Sequence, residues 1–409
     1  MSRKVKGAIE GPEGYRTEEP EDTLARIEPL TKKAGISRIA DITGLDRVGI
    51  PVFSTIRPSA ETGAISIYNG KGLTQTQARI SAIMEGIERY SAEVHADTMV
   101  REVMDTMLSS DRLAVDPREL ILPLYTMMRL KDMPIAWVEG KEITGGEVVM
   151  VPASAVFHPY SSPADLTLFR SNTNGLASGN TLQEATLHGL CEVIERDAWS
   201  LAEVKRKVVS DIEVGEEEGV LKQTLEKFSS NGIDVHLKNL TSNIGMPVIA
   251  AAADDVQLQD AGLLTLGIGA HPSPQVAALK ALTEVAQSRL TQIHGAREDA
   301  VMADGNRKLG YDRVKRMNQL WFGKAAESID LPDMQSIDKG DLGDNIIEIV
   351  RRINGSGLRD VITVDLTRKE LGVPVVRVVV PGLEVFSIDS DRVGRRLMEA
   401  EREVRGRNR

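Results

Sequence analysis

The feature of this chain that most limits how it can fold is a helical pattern that occurs three times. Ala78, Glu85, Glu88 and Arg89 recur at the same spacing as Ala185, Glu192, Glu195 and Arg196. A third version reads Ala277, Glu284, Gln287 and Arg289, with Gln for the second Glu and the Arg displaced by one. Each copy lies in a long segment of helical periodicity, predicted over about 74–96, 182–208 and 274–294. Each follows a stretch rich in Gly or Asn, read here as a turn: NGKG (69–72), SNTNGLASGN (171–180) and GIGAHPSP (267–274). Thr74 with Gln77, and Thr181 with Glu184, match the capping box, and Ser273 is expected to cap a helix with Pro274 in its first turn. Such a repeat predicts a pseudo-symmetric core.

Helical geometry then selects a face, because residues three or four apart lie above one another. The first stripe is Gln77, Ser81, Glu85, Glu88 and Arg89; the second is Glu184, His188, Glu192, Glu195 and Arg196; the third is Lys280, Glu284 and Gln287. Apolar residues such as Ile83, Met84 and Ile87, or Leu190, Val193 and Ile194, fill the other faces. A single Glu-x-x-Glu-Arg is ordinarily a solvated face with Glu/Arg pairs. Repetition at one offset, with a wide apolar surround, points instead to buried helices with a narrow polar seam. Carboxylates gathered 4 Å apart repel by about 4 kcal/mol at an effective dielectric near 20, so converging seams need cations or raised pKa values. With one cysteine and six histidines, a soft-metal site is poorly supplied. Oxygen ligands suit Mg²⁺, which completes its shell with water and phosphate. Arg196, Arg289 and Arg297 are then placed to meet phosphate oxygens. The seams read as a Mg²⁺–nucleotide site.

Composition narrows the class. A formal charge of -10 and few aromatics argue against nucleic-acid binding. The lone Cys191 excludes an intramolecular disulfide and is read as a packed small hydrophobe. The opening segment has no apolar run of signal-peptide type, and no stretch is long and apolar enough to span a membrane, so a cytoplasmic protein is expected. NGKG lacks the spacing of a phosphate-binding P-loop. Residues 1–22 read as a charged arm before a helix near 22–33; 135–139, 147–152, 235–239 and 247–252 read as strands and 220–230 as a helix. Residues 300–345 read as a surface excursion, 361–380 as two strands, and the tail from Asp391 as a charged, solvated helix that includes Arg405, Arg407 and Arg409. No low-complexity linker divides the 409 residues, so an α+β fold, one large mixed α/β body, is expected.

The segments 69–93, 171–198 and 267–290 closely resemble the YcaO family, and the resemblance extends from about Arg16 to Val385. It implies a YcaO-type body with pseudo-repeated helices lining an ATP–Mg²⁺ site: 1–60 as an N-terminal arm and helix, 61–385 as the catalytic domain and 386–409 as a charged C-terminal helix. It implies ATP- and Mg²⁺-dependent phosphorylation of a backbone amide oxygen, which a nucleophile then replaces. Residue by residue, it implies metal ligation by Glu85, Glu88, Glu184, Glu192 and Glu195, and catalytic roles for Glu192, Glu195 and Arg196. Nucleotide contacts are implied for Arg16, Thr23, Ser81, Asn180, Glu184 and Arg196, and further ones for Glu284, Gln287, Arg289 and Arg297. The capping role of Glu184 stays open beside its site role. Azoline-forming members end in a Pro-rich tail, whereas this chain ends EREVRGRNR with its last proline at Pro381. The opening 15–52 resembles methanogen-type YcaO proteins. That resemblance implies thioamidation of a glycine in the α subunit of methyl-coenzyme M reductase, with sulfide or another sulfur donor, in some cases a TfuA-type partner, and a homodimer. An azoline-forming cyclodehydratase and a non-catalytic nucleotide-binding accessory protein are the alternatives.

Overall fold

Three strand-to-helix passages organise the chain: β1 (Ile67–Lys71) into α1 (Gln75–Ala92), β2 (Leu176–Ser178) into α2 (Leu182–Lys205), and β3 (Thr265–Ala270) into α3 (Pro274–His294). The structure, a computed structural model, describes residues 3–5, 8–95, 99–297 and 301–407. The stretches expected to be Gly- and Asn-rich turns therefore contain strands. Gly175 still turns the chain, at φ +80°, but other glycines of these stretches serve close approach. A Cβ on Gly72 would lie 2.6 Å from the Ala78 amide nitrogen, and one on Gly179 the same distance from that of Ala185. On β3, a Cβ on Gly269 would lie 2.2 Å from the Ala277 carbonyl oxygen. Ala78, Ala185 and Ala277 are all fully buried, so the repeated alanine is the small residue that lets each helix seat on the chain leading into it.

The chain divides into two compact units. Met1–Ala60, Ile65–Ile87 and Arg206–Asn345 form one, and Glu61–Ala64, Glu88–Lys205 and Ile346–Arg409 the other. In the first unit α3 packs on a five-stranded sheet ordered β3, Val248–Asp255, Ile233–Asn239, Ser210–Glu213 and Ser328–Asp330. Ala277, Ala281, Leu282 and Val285 of α3 join Ile249, Ala251 and Phe228 in its core. A second sheet of this unit, Arg38–Asp41, Val52–Ile56 and β1, carries the start of α1, with Phe53, Ala78 and Ala82 packed together. In the second unit α2 lies on a seven-stranded sheet that includes β2, Val375–Val379, Ile362–Asp365 and Pro134–Glu142. A Cβ on Gly175 or Gly189 would meet Val378 at 2.3 or 2.6 Å, so both glycines set the distance between helix and sheet.

Several expectations are corrected. Residues of the charged arm form a three-stranded sheet, Arg3–Val5, Ala8–Gly11 and Gly14–Arg16, while 1, 2, 6 and 7 lie outside the described residues. Its G-P-E-G stretch is a hairpin, with Gly14 at φ +100°. The following helix runs Pro20–Ile27, earlier than expected, because Pro20 starts it and Pro29 ends α-helical hydrogen bonding. The first repeat helix ends at Ala92, and the second ends at Lys205 with Arg206 at φ +47°. Residues 301–322 are three short helices tied to the sheet, Lys315 donating to the buried Asp254 carboxylate at 2.5 Å. The tail helix spans Arg395–Arg407 and is anchored by Arg396 donating to the fully buried Asp197 on α2 at 2.8 Å; Arg409 lies outside the described residues.

Candidate functional site

The expected seams exist. Along α1, Gln77, Ser81, Glu85, Glu88 and Arg89 are half-buried while Ala82, Ile83, Met84 and Ile87 are buried. Along α2, His188, Glu192 and Arg196 are half-buried, one helical turn apart, with Glu184 and Glu195 buried beside them. Along α3, Lys280, Glu284 and Gln287 are half-buried in an otherwise buried helix. Polar side chains survive at these positions because they face away from the core and not because the helices lie on the surface.

In the first unit the capping box on α1 is reciprocal: Gln77 N–H donates to the Thr74 hydroxyl at 3.2 Å and Thr74 N–H to Gln77 Oε1 at 3.0 Å. The hydroxyl of Ser273 does not cap α3; it donates to Gln275 Oε1 at 3.1 Å. Glu284 is joined to Lys71 of β1 at 2.6 Å, and Gln287 donates to the Asn69 carbonyl. Lys71 therefore matters as an ion-pair partner, although NGKG is no P-loop. Glu13, missed in the sequence, accepts the Leu73 N–H at 3.1 Å. Burial raises its pKa against the opposing pull of Arg16, Lys280 and Lys71, which places it in a charged cluster with Arg16. Only its position in a hairpin, two residues before Tyr15-Arg16, signalled it. Arg16 itself ends its strand and donates to the Tyr15 carbonyl, and Thr23 is buried in the first helix. Arg297 lies half-buried, just after α3.

Arg289 lies off the half-buried seam. It is fully buried, and its guanidinium donates to Asp46 at 2.8 and 3.1 Å and to Asp255 at 3.2 Å. Paired with two buried carboxylates, the side chain has a structural part, while its Nη1 is buried without a hydrogen-bond partner. Arg47 also reaches Asp255, at 2.6 Å. Burial would raise the Asp255 pKa, but Arg47, the Leu258 N–H and Arg289 hold it below the usual range.

In the second unit Glu88 Oε1 accepts both the Ser178 N–H at 2.9 Å and the Ser178 hydroxyl at 2.6 Å, so β2 orients the second carboxylate of the α1 seam. Glu184 receives the Asn180 N–H at 2.8 Å while the Thr181 hydroxyl accepts the Glu184 N–H at 3.2 Å. Thr181 thus makes its half of the capping box, while the Glu184 carboxylate holds the residue before the N-cap. His188 Nδ1 lies 3.3 Å from the Ser178 carbonyl, a polar support for the strand–helix junction. Arg196 lies 3.5 Å from Glu195 and 5.3 Å from the Trp199 ring centre. Burial lowers the pKa of a residue the sequence did not single out, Arg377, to about 10, against the opposing pull of Glu192.

The donor set fits Mg²⁺ better than a softer ion. The half-buried seam positions offer carboxylate oxygens, although among the described residues no three or more His, Cys, Asp or Glu are grouped so as to hold a metal ion by themselves. That suits an ion that binds through few carboxylates and takes its remaining ligands from water and phosphate.

Comparison with known proteins agrees with this chemistry. The YcaO cyclodehydratase family, described as ATP- and Mg²⁺-binding, matches residues 69–384. An uncharacterised protein of Methanothermobacter thermautotrophicus is 50% identical over 380 residues, 92% of this chain and 97% of that protein. A Rhizobium leguminosarum bv. trifolii protein encoded in the region 3′ of tfuA is 32% identical over 382 residues, 90% of this chain and 88% of that one. Among solved structures, YcaO from Methanopyrus kandleri bound with AMPPCP and Mg²⁺ is similar with a TM-score of 0.78 and 34% identity, covering 96% of this chain and 98% of that one.

Proposed function

The chain belongs to the YcaO family, and from that premise we propose that it uses ATP to convert a peptide backbone amide to a thioamide. The substrate we assign is a glycine of the methyl-coenzyme M reductase α subunit, and the nucleophile is sulfide or an equivalent donor. In this reaction the γ-phosphoryl group passes to the amide oxygen, ADP leaves and the amide proton is lost. Hydrosulfide then adds at the same carbon, phosphate departs with the original oxygen, and the sulfur-borne proton restores the N–H. The observation that carries the reading is the half-buried carboxylate seam of α1 and α2, set in a chain 34% identical to a YcaO protein bound with AMPPCP and Mg²⁺.

On this reading Glu85, Glu88, Glu184, Glu192 and Glu195 supply the carboxylates for Mg²⁺, no more than two of them meeting any one ion, and the metal when bound offsets phosphate charge. Arg16, Thr23, Ser81 and Asn180 bind nucleotide, with Glu284, Gln287 and Arg297 in support. Arg196 presents a guanidinium to phosphate oxygens, and stacking over Trp199 holds its plane. The similarity to the tfuA-region protein favours a TfuA-type partner in sulfur delivery. The protein acts as a homodimer in the cytoplasm.

The test mixes the protein with ATP, Mg²⁺, sulfide and a capped peptide spanning the target glycine, with and without a TfuA-type protein. Mass spectrometry should show a gain equal to the sulfur-for-oxygen difference. Loss of one water would instead identify an azoline-forming cyclodehydratase. ATP binding without any change in peptide mass would identify an accessory protein.

A further inference from the structure

A buried arginine in the second unit has half its fork unused. Arg377 sits in the strand Val375–Val379 with 4% of its surface exposed. Its Nε donates to the Ala155 carbonyl at 3.0 Å and its Nη2 reaches Asn172 Oδ1 at 3.3 Å, both neutral acceptors. Its Nη1 is buried without a hydrogen-bond partner. A guanidinium offers five N–H donors, and leaving two of them unpaired in the interior is costly. One residue away in the hydrogen-bond network is an orphan of opposite kind. Asn172 Oδ1 also accepts the Asn174 N–H at 3.1 Å, and Asn174 Oδ1 is itself buried without a partner. A lone donor and a lone acceptor thus share one anchoring side chain.

The surroundings are built and partly open. Ser171, Asn172, Thr173 and Asn174 are half-buried, so they form a rim over the buried arginine. Gly175, at φ +80°, turns the chain from this rim into β2, and its carbonyl accepts the Val378 N–H at 2.8 Å, one residue from Arg377. His158 Nδ1 meets the Ser171 hydroxyl at 3.1 Å, and that hydroxyl also accepts the Tyr160 N–H at 3.0 Å. The serine proton therefore points to Nδ1, which leaves a neutral imidazole beside the rim. Burial, Arg89 and Arg377 keep it neutral, with its pKa lowered to about 4.

A donor and an acceptor presented together match the C=O and N–H of one extended residue, which point to the same side. We propose that Arg377 and Asn174 form a subsite for one extended residue of the peptide substrate, with Arg377 Nη1 donating to that residue's carbonyl oxygen and Asn174 Oδ1 accepting its N–H. This assignment rests on the peptide-modifying reading and deepens it: it names residues that recognise the polypeptide, as distinct from nucleotide.

The test is equilibrium binding of a fluorescent capped peptide spanning the target glycine to the full chain with AMPPCP and Mg²⁺. A series of peptides replaces one amide at a time with an ester, which removes the N–H. One ester position should weaken binding to the wild type by about tenfold, the cost of leaving a buried acceptor unpaired. In Asn174→Ala the amide peptide should bind about tenfold more weakly, and that same ester should add no further loss. Arg377→Lys should retain more affinity than Arg377→Met. AMPPCP affinity should stay unchanged in Asn174→Ala, which a general structural defect would not allow. An ester effect that persists undiminished in Asn174→Ala, or a wild type indifferent to every ester, overturns the subsite alone. Competition by inorganic phosphate or sulfide would make it an anion site and likewise overturn it. A wild type that binds no peptide overturns the subsite together with the reading beneath it.

Discussion

Arg196 on α2 and Arg289 on α3 follow the same Ala-to-Glu spacing, yet one lies half-buried over the Trp199 ring and the other is fully buried between Asp46 and Asp255. The cause is one residue. Arg196 is four positions after Glu192, which at 3.6 residues per turn turns it only about 40° from the seam. Arg289 is five positions after Glu284, which turns it about 140°, to the opposite face. Ser288 takes the seam-side place on α3, and its hydroxyl donates to the Leu266 carbonyl at 3.2 Å. The same residue type, on the same kind of helix, is half-buried on the seam face and fully buried in ion pairs on the other.

The sharpest way to break this comparison is Arg289→Met. It leaves Asp46 and Asp255 buried with one guanidinium fewer, and should cost about 3–5 kcal/mol in urea unfolding. A loss below 1 kcal/mol would mean that Arg289 is not the structural member of the pair. The glycine seats come next. Gly70→Ala would place a Cβ 1.9 Å from the Ala82 amide nitrogen on α1, a backbone clash that should cost about 1–3 kcal/mol. Gly44, with nothing near its missing Cβ, is the control and should change by less than about 0.5 kcal/mol when made alanine. Equal effects at both positions would show that helix-to-strand approach does not constrain the repeat.

Acid should then weaken the protein. His158 has a folded pKa lowered from 6.5 to about 4, by burial first and then by Arg89 and Arg377. His271 in the other unit is also driven well below its ordinary value, by burial, Lys280 and Arg16. Both are neutral when folded at pH 7, where they contribute nothing to the pH slope. As pH falls below 6.5 the unfolded chain takes up these protons first, so stability declines toward pH 4. His158→Asn should flatten part of that decline while leaving stability at pH 7 nearly unchanged. A slope identical to the wild type between pH 6.5 and 4 would place the proton uptake elsewhere.

Much of the site was legible because it depends on helical period. Ser81, Glu85, Glu88, Glu192 and Glu284 are half-buried in buried helices, as their spacing required. The face of Arg289 was legible too, had the displacement been read as an angle. What spacing could not reveal depends on distant chain: Asp46, which claims Arg289 from 243 positions away, and Arg377, which meets Asn172 from 205 positions away. The strands β1–β3 were obscured for another reason. The glycines in or beside them look like turn residues in sequence, and the closeness of a packed helix explains why a side chain is forbidden at Gly70, Gly179 and Gly269.

A small expected change in stability tests the other half of the comparison. Arg196 faces Glu195 at 3.5 Å with 22% of its side chain exposed, so Arg196→Ala should cost less than about 1 kcal/mol. If α2 carries the phosphate-facing arginine, the same substitution should lower ATP turnover by about 10–100-fold. Glu192→Gln, which keeps the shape and removes the charge, should show the same division between an intact fold and lost turnover. The two arginines then separate along independent axes: Arg289→Met lowers the urea midpoint, and Arg196→Ala lowers turnover at an unchanged midpoint. Arg196→Ala with wild-type turnover would reduce both to scaffolding and leave the carboxylates of α1 and α2 without their phosphate partner.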